Sequence, residues 1–289
     1  MKLFVFARAK VNLSLDVFET RPDGYHEIAS VLQSVAYSDL LTIEALPAGI
    51  HLRVTGEPVE SGGNNLVARA AERLLEATGC KRGAAIRLQK NIPVSAGLGG
   101  GSADAAATLL GLNRLWGLGC SLQFLKELGA SLGSDIPFCL TGGTALATGR
   151  GETTASLPPL PECGVLLLKP PYGISSAGVY RAWDALRPQW RAAAREMAEV
   201  LAKGRWQEAL RLCGNALEEA VLQEHSELGV LKRELVEQGA LCALVSGSGP
   251  TVYGIFPTLE EAARAGELFL SRGFRVIITT TATEGVLIV

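Results

Sequence analysis

Apolar and polar residues alternate along "VNLSLDV", residues 11–17, inside a stretch from 3 to 18 rich in β-branched and aromatic side chains. A period of two predicts a strand with one face buried. "RPDGYHEI" (21–28) interrupts it. There Pro22 fixes φ, Asp23 offers a local side-chain bond and Gly24 permits positive φ, the chemistry of a tight reversal. Strand-like runs resume at "LLTIEAL" (40–46) and "IHLRVTG" (50–56). The period then lengthens to that of a helix in "NNLVARAAERLLEATG", which opens on a capping Asn and closes on Gly79. "AAIRLQK" (84–90) reads as one more strand and leads into "NIPVSAGLGGGSADAAATLL" (91–110).

After Ser102 the pattern is helical, with Leu109, Leu112 and Trp116 spaced for one face, and a second helix is expected over 121–131, ahead of "GSDIPF" (133–138). "TASLPPLPEC" (154–163) carries three prolines within four positions and is the best linker, so the chain is divided near residue 157, into 1–157 and 158–289. Beyond it come a strand over 164–169, amphipathic helices from about 177 to 238, and strands around "CALVSGSGPTVYGIF", "FRVIITTTAT" and "GVLIV". No repeat is visible.

The glycine segment asks what it holds. Phosphate oxygens are met best by backbone N–H groups converging at a helix N-terminus, and glycine lets that backbone approach without a Cβ in the way. "GLGGGS" (97–102) followed by an alanine-rich helix fits that need. It is no Walker loop, since the chain contains no Gly-Lys pair, and no dinucleotide fingerprint, since Ser102 stands where a third glycine belongs. Ser102 is expected to cap the helix, its hydroxyl also within reach of a phosphate or Mg²⁺, and Asp104 to complement the helix dipole. A flexible turn or tight helix packing is the alternative.

Composition narrows the ligand. With 27 basic and 29 acidic residues, a net charge of −2 and no block of like charges, nothing points to nucleic acid or an anionic membrane. Six scattered cysteines without a Cys-x-x-Cys pair, and only three histidines, argue against a zinc cage and for reduced thiols; no metal site is expected in the protein itself. The apolar run at the N-terminus is cut by Arg8 and Lys10, too short for a signal peptide, and a cytoplasmic chain is expected.

"PVSAGLGGGSADAA" (93–106) resembles the phosphate-binding motif of the GHMP kinases, and "AKVNLSLDV" (9–17) and "SGSGPTVYG" (246–254) agree with it in order. Within that superfamily, "RPDGYHEI" so soon after "AKVN", together with "GSDIPF", is similar to the 4-diphosphocytidyl-2-C-methyl-D-erythritol kinases of non-mevalonate isoprenoid synthesis. The likeness runs from residue 7 to about 256 and is thinnest over 185–240. It implies an α+β fold of two α/β domains with the active site in the cleft between them. It implies ATP as co-substrate with Mg²⁺, phosphorylation of a polyol hydroxyl to the 2-phosphate of a cytidine diphosphate compound, and a monomer or homodimer. Another small-alcohol GHMP kinase, or a ligand sensor on the same fold, stays open.

The resemblance also assigns residues. Lys10 and Asp135 match the catalytic pair, although alone each reads as a solvated strand lysine and a helix-terminus Asp. A cation beside Asp135 would keep it ionised, and Pro137 would hold Ile136 extended and so aim the carboxylate. The ATP side falls on Pro93, Val94, Ser95, Ala96, Gly97, Leu98, Gly99, Gly100, Gly101, Ser102 and Ala103, with Asn65 and Lys90 as further candidates that have structural readings of their own. Tyr25 and Tyr180 can sandwich a base while His26 reads the pyrimidine edge. Asn12 is expected to orient the polyol or its diphosphate. Ser176 stands where relatives commonly carry threonine, and Gly247, Ser248 and Gly249 are expected to close the cleft, a plain β-turn being the rival reading.

Overall fold

The alternation that opens the chain becomes one long hairpin. In the computed structural model, which describes residues 2–59, 62–186, 188 and 193–289, β1 (Lys2–Thr20) runs antiparallel to β2 (His26–Leu46). The reversal closes as its residue types demand: Gly24 N donates to Arg21 O (3.0 Å), Tyr25 N donates to Asp23 Oδ1 (3.1 Å), and Gly24 sits at φ 81°. β3 (Ile50–Gly56), α1 (Leu66–Thr78) and β4 (Gly83–Lys90) follow, β4 pairing with the second half of β2. Asn65 caps α1 by accepting from Val67 N at 2.9 Å, and Gly79 ends it in a left-handed conformation.

Next come α2 (Gly100–Trp116), α3 (Leu122–Ala130), α4 (Ile136–Thr141), β5 (Thr144–Gly149) and β6 (Thr153–Ser156). β5 pairs with the first half of β2, so the first sheet forks along that strand. Leu3, Val5 and Ala7 of β1, Leu41 and Ile43 of β2 and Ile86 and Leu88 of β4 share one apolar cluster with the inner residues of α1, α2 and α3.

The second sheet runs β11-β7-β10-β9, every pair antiparallel. In chain order its part of the molecule is β7 (Gly164–Lys169), α5 (Ser176–Leu186), α6 (Ala194–Ala202), α7 (Trp206–Leu210), β8 (Gly214–Asn215), α8 (Glu218–Glu224), α9 (Ser226–Glu237), β9 (Cys242–Val245), β10 (Val252–Phe256), α10 (Leu259–Glu267) and β11 (Arg275–Thr280), then β12 (Val286–Ile288). The helical reading of 177–238 becomes five helices around the two-residue β8; residues 187 and 189–192 of that stretch lie outside the described residues. β8 and β12 return to the first sheet, β8 parallel to β1 at Ser14 and Leu15, β12 antiparallel at Val5 to Ala7.

Three sequence expectations change. β1 has both faces buried from Ala9 to Val17, because Ala9, Val11 and Leu13 pack on the second sheet while Lys10, Asn12, Ser14 and Asp16 face inward on the other side. Ser102 does not cap α2: Gly99, at φ 68°, turns the chain so that the helix begins at Gly100, and Ala103 N donates back to Gly99 O. Ser102 is thereby in the first turn with its hydroxyl free of a capping role. Ile136 is helical rather than extended, since Pro137 lies in the first turn of α4, where a missing N–H loses no bond.

Candidate active site

Two glycine loops from opposite halves of the chain touch backbone to backbone. A Cβ on Gly97 would lie 2.0 Å from Ser246 O, and the Ser246 hydroxyl donates to Gly97 O at 2.9 Å. Only glycine fits such an approach, and Gly97 also holds φ 76°. β1 fixes the first loop through Lys10 N donating to Leu98 O (3.0 Å); β8 fixes the second through Asn215, whose Nδ2 donates to Val245 O (2.9 Å) and Gly247 O (2.7 Å). The second loop is itself a turn, Gly249 N donating to Ser246 O. Ser95 takes φ 50°, a left-handed backbone uncommon for a residue with a Cβ.

The first loop lines a cleft of about 530 Å³ into which the N-terminus of α2 opens. The N–H groups of Gly100, Gly101 and Ser102 have no partner further back in the helix, so this end carries donors and partial positive charge suited to phosphate. Below it, Lys90 is buried between Asp39 and Asp104, its ammonium 2.9 Å from Asp104 Oδ2. Burial alone would loosen the Lys90 proton, but the carboxylates of Asp104 and Asp39 prevail and hold it above the ordinary lysine value. Burial pushes Asp104 well above the usual carboxylate range, with Lys90 offsetting only part of it.

At the far end of the cleft Lys10 Nζ stands 3.7 Å from Asp135 Oδ2. Asp135 immediately precedes α4, and Lys10 comes from β1. Lys10 also donates to Asn12 Oδ1 (2.8 Å), Asn12 Nδ2 to Ser30 Oγ (2.9 Å), and Ser30 Oγ to Ser14 O (2.7 Å), so the inward polar face of β1 fixes the ammonium.

A second cavity, about 550 Å³, shares Ser102, Asp135, Arg150, Ser176 and Tyr180 with the first. Tyr25, His26 and Tyr180 bring rings to its walls beside the charged Asp135, Arg150, Arg181 and Asp184. Tyr180 stacks on His26, ring centroids 5.1 Å apart, and Trp183 meets His26 edge-on. The His26 ring bonds Asp184 Oδ1 through Nε2 at 2.8 Å. Tyr25 is exposed, with the Arg150 guanidinium 5.0 Å from its ring centroid. Burial, with the Asp135 charge adding to it, pushes the Tyr180 hydroxyl up to about 12, so at neutral pH it remains a donor.

Most residues singled out from sequence converge here. Lys10, Asn12, Asn65, Lys90, the stretch from Pro93 to Ser102, Asp135, Ser176, Tyr180, Gly247 and Ser248 line the first cleft, and Tyr25 and His26 line the second. Gly249 lies in a side recess beside Ser248, whose hydroxyl is 2.7 Å from that of Ser176. Ala103 is the exception: it is fully buried in the first turn of α2 and lines none of these cavities, because its Cβ faces the core. Arg150 was missed. Its signal was "GRG" (149–151), two glycines at φ 74° and 107° that turn β5 into β6 and leave the arginine at the junction of the cavities. Asp184 carried one too, four residues beyond Tyr180 on α5.

Known proteins agree with this geometry. Residues 65–143 match the model of the GHMP kinases N terminal domain, and residues 197–271 that of the GHMP kinases C terminal. The 4-diphosphocytidyl-2-C-methyl-D-erythritol kinase of Pelotomaculum thermopropionicum is 47% identical over 283 residues, 97% of this chain and 98% of the relative. A crystal structure of a 4-(cytidine 5'-diphospho)-2C-methyl-D-erythritol kinase superposes with a TM-score of 0.81 at 33% identity, covering 96% of this chain and 99% of the other. A homoserine kinase from Cytophaga hutchinsonii reaches 0.77 at 19% identity over 100% of this chain and 97% of the other, which speaks to fold alone. Identity at that level along nearly the whole length, on a fold whose two glycine loops meet over a lysine–aspartate pair, makes the chain a member of the 4-diphosphocytidyl-2-C-methyl-D-erythritol kinase family of GHMP kinases.

Proposed function

We propose that this protein transfers the terminal phosphoryl group of ATP to the 2-hydroxyl of 4-diphosphocytidyl-2-C-methyl-D-erythritol. The observation that carries the reading is the position of Asp135 and Lys10. Asp135 lines both the glycine-loop cleft and the cavity of Tyr25, His26 and Tyr180, with Lys10 3.7 Å away, so one group can reach both a nucleotide's terminal phosphate and an acceptor whose base is stacked farther out.

Phosphoryl transfer asks for alignment and neutralisation of charge more than for covalent chemistry. The first-turn amides of α2 bind the phosphate oxygens. Asp135 accepts the proton of the attacking hydroxyl as its oxygen bonds to the γ-phosphorus and the bond to the departing ADP oxygen breaks. Lys10, held by Asn12, neutralises charge between the two. Tyr25 and Tyr180 hold the cytosine, and Arg150, shared by both cavities, neutralises the substrate diphosphate. A magnesium ion carried by the nucleotide phosphates would meet the Ser102 hydroxyl, which lines the cleft. Such an ion would supply charge neutralisation for the nucleotide phosphates.

Turnover of ATP by the purified protein, measured with the cytidine diphosphate polyol, mevalonate and homoserine in parallel, tests the proposal. Phosphorylation of the first alone is expected. Preference for either small alcohol would reject the substrate, and ATP binding with no transfer to any would reject the activity.

A further inference from the structure

We infer that Asp39 is a positioning residue for ATP, acting through the two ends of the glycine loop; the inference rests on the proposal that this loop holds the nucleotide's phosphates. Asp39 is fully buried in the middle of β2 and touches neither cavity. Its Oδ1 accepts from the backbone N–H of Asn91 (2.5 Å) and of Ile92 (2.8 Å), the two residues that lead the chain into the loop. Its Oδ2 binds Lys90, whose ammonium also bonds Asp104 in the second turn of α2, where the chain leaves the loop. One carboxylate thus holds the entry directly and the exit through a single shared ammonium.

The clearances leave that ammonium little freedom. A Cβ on Gly100 would stand 2.8 Å from Lys90 Nζ and 2.9 Å from Ile92 Cγ2, so the start of α2 rests on the bridge with no side chain between them. Two carboxylates and one ammonium buried together are a poor device for stability, because desolvation offsets most of the attraction and one carboxylate stays in excess. Asp39 and Asp104 also face one another across that single ammonium, and the Asp39 charge adds to the burial that pushes the Asp104 carboxyl up. What the bridge fixes is the separation of the loop's two ends, and with it the spacing of the amides that meet phosphate. Those contacts exist in the ground state and the transition state alike, so a loosened bridge falls on KM for ATP.

The test compares wild type with Asp39→Asn, which keeps an acceptor for the two amides but removes the charge that holds Lys90. Expected is a rise of about tenfold in KM for ATP, equivalent to about 1.4 kcal/mol, with KM for the cytidine substrate within twofold. Lys90→Gln is the second variant should Asp39→Asn fail to fold, and the same split between substrates is expected of it. An unchanged KM for ATP, or equal losses for both substrates alongside a lowered Tm, overturns the inference and leaves the bridge structural. If wild type itself shows no ATP-dependent turnover of the cytidine compound, the proposed function fails first, and the two failures are told apart.

Discussion

At the scale of single residues, the assignment separates what binds from what reacts. Asp135 is half-buried and 3.7 Å from Lys10, outside the glycine loop proposed to meet phosphate. Asp135→Asn should therefore lower kcat by about 10²–10⁴, the range of a general base, while ATP affinity measured by calorimetry stays near wild type; a comparable loss of affinity would place the carboxylate in nucleotide binding instead. Tyr25 is exposed and has its face toward Arg150. If it stacks on cytosine, Tyr25→Ala forfeits about 1–3 kcal/mol and raises KM for the cytidine substrate by about 5- to 150-fold with KM for ATP unchanged. Both residues were legible because short motifs mark them. Asp39 was not: it lies between apolar runs in "SDLL", and only the fold carries its carboxylate to amides 52 and 53 residues away.

At the scale of elements, a capped helix was legible where local chemistry decides it, as in α1 between Asn65 and Gly79. Errors arose where a neighbour decides. Nothing in "GLGGGS" tells which glycine turns left-handed, and that choice moved the start of α2 to Gly100 and released Ser102 toward the cleft. The same helix buries Asp104 against Lys90, a partner that the expected role beside the helix dipole did not include. The consequence is a pH dependence with a definite sign. Because the folded state raises the Asp104 pKa above its unfolded value, the contribution to stability is whole below the unfolded carboxylate range and is lost as pH rises through the folded value. Asp104→Asn, which imitates the protonated form, should then gain in Tm relative to wild type as pH rises across that window and level off above it. A Tm difference independent of pH would mean that the carboxyl titrates alike in both states.

At the scale of the molecule, we propose that the linker near residue 157 divides the sequence without dividing the folding unit. Local pattern pointed to that linker, yet it could not reveal that β8 and β12 return across it, since strands of two and three residues carry too little periodicity to declare a partner. Their return matters for β1. Without residues beyond 157, Ala9, Val11 and Leu13 lose the apolar cover of Val165, Leu167, Tyr253 and Ile255, while Asp16 loses the amides of Ala193 and Ala194 that it accepts from. The first sheet would also expose an edge of β1 at Val5 to Ala7, where β12 now pairs. A fragment of residues 1–157 is thus expected to melt without a cooperative transition by circular dichroism, and a mixture with residues 158–289 to recover one, because each supplies the face the other lacks. A sharp melt of 1–157 on its own would show instead that the first half is stable unaided, and that the two glycine loops meet by docking of finished domains.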